Sequence, residues 1–213
     1  MCFNAETSIT AFIVGSIFTA LNIHKGYMQS SKFHLMIGYI SIFIVIIQLF
    51  EFIIWKHLKN HTINNIASLM INLITTYQPV LFILIYSFVY NKKIENWLTL
   101  LFIIYIIIHV FNSYDIIKNK LVTTIDKSRK LLWPKSSFQT HILYWIILSI
   151  FLYKLYNINI RKSLFILVIV SLFTLWVVYL QKPKTFRSIS GLFSTLWCLF
   201  CIYIPIISYF FAQ

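Results

Sequence analysis

A carboxyl side chain set in the apolar run IFIVIIQLFEFIIW, residues 42–55, is the costliest group in this sequence. An ionisable group in hydrocarbon costs on the order of 3 kcal/mol on insertion scales, so such groups pair, carry protons or meet ions. Glu51 has company: Gly38, Ser41, Gln48, Glu51 and Trp55 recur at helical spacing, which makes one face of one helix small and polar. Such a stripe turns toward neighbouring helices and away from lipid. Two kinds of chemistry fit it. One is a proton- or cation-coupled site; the other is a hydrogen-bonded glutamate that ties helices together.

Other residues extend the pattern. Tyr105, His109 and Asn112 share a face in a later apolar run, with Asp115 near its end. His109 suits a proton relay or a ligand role, or plain hydrogen-bonded packing. Ser68, Asn72, Thr75 and Pro79 share a face beside Tyr77 and Gln78. A proline inside a membrane helix releases a carbonyl one turn back and can shape a cavity, or serve only as architecture. Cys198 and Cys201 have redox-pair spacing but lie mid-span, where no helix N-terminus lowers the thiol pKa, so packing is the reading for them. No metal-ligand set is expected, nor any cofactor.

These residues need elements to hold them, and the composition says which kind. The chain has 213 residues, is 60% hydrophobic and only 11% charged, and its mean hydropathy is +0.82. Soluble domains are about 25% charged. A membrane helix takes about 20 mostly apolar residues. Seven such stretches are legible, at 8–27, 35–57, 64–90, 97–117, 139–156, 162–181 and 188–211. The expected fold is therefore all-α: a seven-transmembrane helix bundle in one integral membrane domain over 1–213. Short matches between spans 1–3 and 5–7, such as Tyr77-Gln78-Pro79 against Tyr203-Ile204-Pro205, suggest a 3+1+3 internal repeat. No cleavable signal peptide is expected, because MCFNAETS has no basic stretch before the first span.

The net charge of +13 sits in the short linkers. That placement points to anionic lipid head groups and the positive-inside signal, and away from nucleic acid. Of the 18 Lys and Arg, eleven fall on the side of the N-terminus and seven on the other, which predicts a cytoplasmic N-terminus. Linker 118–138 decides this count; it reads as a short amphipathic helix on the head groups, with Leu131, Leu132 and Trp133 dipping inward. The sequon Asn60-His61-Thr62 then faces the cytosol, unused. The last span holds neither the lysine of a retinal protein nor the histidines of a zinc-dependent membrane hydrolase. An inside N-terminus argues against a G-protein-coupled receptor, and no P-loop, G-x-S-x-G or H-E-x-x-H motif is present.

The opening MCFNAETS resembles the MCFSATAS start of a family of uncharacterised multi-pass membrane proteins of bacteria, algae and large DNA viruses. That family's second span reads roughly Q-x-x-E-G-x-x-W. Here Gln48, Glu51 and Trp55 match, Phe52 replaces the glycine, and Pro79 matches in the third span. The resemblance covers about the first 90 residues and implies that Cys2, Glu51 and Trp55 act together. A segment 2–7 folded back into the bundle mouth would bring Cys2, Asn4 and Glu6 near Glu51 as a plug, a ligand set or a terminal nucleophile, with a structural cap as the plain alternative.

The leading expectation is translocation of a small solute, proton or cation along Glu51, Gln48, Trp55, Asn72, Tyr77, Gln78, His109 and Asn112. The alternatives are an intramembrane enzyme using Cys2, and a structural or sensory bundle, either of which can form a homo-oligomer.

Overall fold

A computed structural model describes residues 4–120, 122–125, 131–132, 144, 146–148, 150–151 and 203–210. Four helices follow one another: α1 (Ala5–Met28), α2 (Lys32–Lys56), α3 (His61–Tyr90) and α4 (Asn96–Lys118). They match the first four expected spans, each beginning one to three residues earlier because the polar caps belong to the helices. Asn4, Ser31 and Asn60 are N-caps whose side chains accept from the N–H of Thr7, His34 and Ile63. Each satisfies a donor that the first turn leaves open. Asn91 ends α3 in the left-handed region at φ 53°, which asparagine tolerates better than most residues.

α1, α2 and α3 are long and apolar enough to cross a membrane; α4 contributes the shorter apolar stretch Asn96–Phe111. Residues 144, 146–148, 150–151 and 203–210 are also helical. The span expected at 162–181, and with it most of the second half of the expected repeat, lies outside the described residues.

Among the described elements the helices pack in chain order, α1 on α2, α2 on α3 and α3 on α4. Lipid is as apolar as leucine, so close van der Waals contact must hold these helices together. α1 meets this demand with a buried stripe of small or polar residues: Ser8, Ala11, Gly15, Thr19, Asn22 and Gly26. A Cβ at Gly26 would lie 2.7 Å from the Leu35 backbone nitrogen, and one at Gly38 would lie 2.5 Å from Ile23 Cγ1. The α1–α2 approach therefore requires both glycines. Ile13 and Ile17, off the stripe, are about half exposed on the outer side of α1.

The linker after α4 differs from the amphipathic helix read in the sequence. It contains two short antiparallel strands, β1 (Thr124–Ile125) and β2 (Leu131–Leu132), with Ile125 opposite Leu131. Leu131 is fully buried among Ile47, Ile54, Ala67 and Ile71, and does not lie on a surface facing head groups. The gap between the ends of α2 and α3 accepts a leucine, and this fixes the backbone as extended.

Candidate functional site

The polar face of α2 points inward: Ser41, Gln48 and Glu51 are each 0% exposed. Their helix is otherwise built from Ile, Val, Leu and Phe, so the apolar faces surround the stripe and shield it. Glu51 lies between Ile47 and Ile54, four residues after one and three before the other, on a single face of α2. Trp55, one turn further, is half-buried.

α3 presents its own polar groups to α2. Ser68 and Gln78 are buried, with Pro79 beside Gln78, while Asn72, Thr75 and Tyr77 are half-buried. Gln78 Nε2 donates to the Phe43 carbonyl at 3.3 Å, which ties α3 to α2. Pro79 has no N–H to return to the Thr75 carbonyl, so the ladder of α3 is open at this depth. From α4, Tyr105 is fully buried and its hydroxyl donates to the Thr76 carbonyl at 2.6 Å. The His109 ring lies 4.2 Å from that of Tyr105 and 6.3 Å from that of Tyr77, centroid to centroid. Tyr77, Tyr105 and His109 thus form one aromatic cluster between α3 and α4.

Several polar atoms in this layer are buried without a hydrogen-bond partner: Ser41 Oγ, Thr75 Oγ1, Gln78 Oε1 and Trp55 Nε1. An unmatched buried polar atom costs about 1–3 kcal/mol, so a cluster of them is uncommon in a purely structural core.

Glu51, Gln48, Ser41, Gln78, Tyr77 and His109 are therefore gathered into one interior layer of α2, α3 and α4. The N-terminal residues behave differently. Asn4 is exposed, and its Oδ1 accepts from Thr7 N and Thr7 Oγ1, both at 2.8 Å. It caps α1 in place of reaching Glu51, because a contact three residues away fixes far less chain than a fold-back. Glu6 is exposed in the first turn of α1, where the helix dipole favours an acid. Cys2 and the Asn112 side chain lie outside the described residues, as do Cys198 and Cys201. No cluster of three His, Cys, Asp or Glu side chains that could hold a metal occurs among the described residues. A groove of about 340 Å³ runs between α1 and α2, lined by Phe12, Thr19, Ile23, Ile42, Val45 and Leu49 among others. Its walls are apolar, and it lies apart from the polar layer.

Two polar nodes escaped the sequence reading. At the α1–α2 turn, Asn22 Nδ2 donates to the carbonyls of Phe18 at 2.8 Å and Pro205 at 2.7 Å. Asn22 Oδ1 lies 3.1 Å from His34 Nδ1. Both carbonyls need donors, so the amide orientation is fixed, and Nδ1 of His34 carries the proton. Lys25 Nζ donates to the Tyr209 carbonyl at 2.8 Å and lies over the Tyr209 ring. This node holds helical residues 203–210 against α1. At the opposite end, Thr123 N donates to Asn64 Oδ1 at 3.0 Å, and Asn64 Nδ2 donates to the Thr123 carbonyl at 3.0 Å. The signal for both nodes was a lone asparagine on a buried face, at position 22 of α1 and position 64 of α3.

No family model, curated protein or solved structure matches this chain.

Proposed function

We propose that this chain is a multi-pass integral membrane protein that moves a proton or small cation along the buried polar layer of α2, α3 and α4. The observation that carries the reading is Glu51 at 0% exposure on a membrane-length helix, sharing its face with Gln48 and Ser41. A carboxyl group held at this depth is costly for a bundle that needs only to pack. The unmatched atoms Ser41 Oγ, Thr75 Oγ1 and Gln78 Oε1 supply hydrogen-bonding capacity along the same layer, as a hydrated path requires. Glu51 is the charge-sensing group, Gln48, Asn72, Tyr77 and His109 line the path, and the N-terminus faces the cytosol. The likeness of Gln48, Glu51 and Trp55 to the Q-x-x-E-G-x-x-W span supports treating them as one unit.

A structural bundle is the second reading, and the Asn22 node favours it, since there the chain uses buried polar groups purely as ties. Proton and cation flux into proteoliposomes separates the two. In the transport reading Glu51→Gln abolishes flux. Equal flux in Glu51→Gln and the parent would sink the assignment. A more stable variant in vesicles that carry no flux at all would establish the structural role.

A further inference from the structure

We propose that the β1–β2 segment is a plug seated on the Glu51 face at the open ends of α2 and α3, released by breaking its hydrogen bonds to Asn64 and Ser68.

The seat has two parts. The polar part is built on α3. Thr123, 2% exposed, exchanges two hydrogen bonds with the Asn64 side chain, in the manner of one strand pairing with another. Ser68 Oγ lies 2.6 Å from Thr123 Oγ1 and also accepts from Thr123 N at 3.1 Å. Asn64 and Ser68 are one turn apart on α3, and Ser68 Oγ donates to Asn64 Oδ1 at 3.0 Å, so the pair is a prepared receptor for one extended residue. The apolar part is Leu131, 0% exposed, which packs with Ile47 and Ile54 of α2 and with Ala67 and Ile71 of α3. Ile47 and Ile54 flank Glu51 on the same face of α2. Leu131 thus sits where water arriving from this end would have to pass to meet the carboxyl group.

The attachment is small. Each strand has two residues, and both residues of β1 are exposed. The described anchors are one threonine and one leucine. A segment with so few buried contacts opens at far lower free energy than the helices beneath it. The chain could have closed this end with a continuous helix; it uses instead a short extended piece held by side chains, which can leave without unfolding α2 or α3.

Only the effect on flux rests on the translocation reading; the seat stands on its contacts. The test uses the full-length protein in proteoliposomes, with Cys2, Cys198 and Cys201 changed to serine. Glu51→Cys is the reporter, Met36→Cys, in the other half of α2, is the control, and a membrane-impermeant maleimide is the probe. With the seat intact, the thiol at 51 is protected. In Asn64→Ala/Ser68→Ala, and separately in Leu131→Ala, it labels at least tenfold faster while the thiol at 36 stays protected. The proposal is overturned if the thiol at 51 labels equally fast with the seat intact, or stays protected in both release variants. It is equally overturned if positions 36 and 51 open together, because the segment is then part of the fold and not a plug. Flux in Asn64→Ala/Ser68→Ala with Glu51 retained is the second readout. Faster labelling with no flux leaves the plug standing and removes the translocation reading.

Discussion

The two ends of α2 solve the same problem in opposite ways. Near its start, the Asn22–His34 node uses every hydrogen-bonding atom of the Asn22 amide, and glycines bring the α1 and α2 backbones together. In its middle and toward its end, the stripe that runs to Glu51 faces Thr75 and Gln78, and polar atoms there remain unmatched. The first region is closed by satisfied polarity and close packing, as a structural joint should be. The second keeps polarity in hydrocarbon without using all of it, and its outer end is covered by a small extended segment. Buried polarity in this protein therefore has two meanings, and the state of its hydrogen bonds tells them apart.

The sharpest way to break this comparison is at the joint itself. Gly26→Ala should destabilise by about 3 kcal/mol, at the upper end of overpacking costs, because its Cβ meets the Leu35 backbone and a rotamer change cannot relieve that. A thermal unfolding midpoint in detergent that matches the parent would show that the joint is loose. Asn22→Ala should cost about 2 kcal/mol, since it leaves the Pro205 carbonyl and His34 without their shared partner. The same unfolding measurement reads it, and a variant that is neutral would remove the distinction between the regions. Ser41→Ala should have the smallest effect, within about 0.5 kcal/mol of zero or stabilising, because Ser41 Oγ is buried without a partner. A loss as large as that of Asn22→Ala would mean that the stripe is also a joint. Ser41→Ala with unchanged stability and reduced flux would sharpen the contrast most.

Much of this architecture was legible beforehand. The apolar runs 8–27, 35–57, 64–90 and 97–117 correspond to α1–α4, since about 20 apolar residues leave few other structures available in a bilayer. The inward turn of Ser41, Gln48 and Glu51 was legible too, because helical spacing puts them on one face and their polarity turns that face from lipid. The linker was misread for an identifiable reason. Leu131 and Leu132 beside basic residues fit a surface helix by pattern, yet Leu131 is buried by residues of α2 and α3 that lie 60 or more positions earlier. Asn4 was given a distant partner where a local cap was available at three residues' distance.

The sequence by itself determined the length, polarity and facing of the membrane helices, because hydropathy and a 3.6-residue period are properties of a single segment. Only the tertiary structure decided which polar residues are consumed as ties and which are not. Asn22 and Gln78 look alike as single amides in apolar runs, but one meets Pro205, 183 residues away, and His34, while the other reaches one carbonyl and leaves Oε1 unmatched. A hydrogen bond needs two groups within about 3 Å, and helix packing, which no single segment encodes, brings them that close.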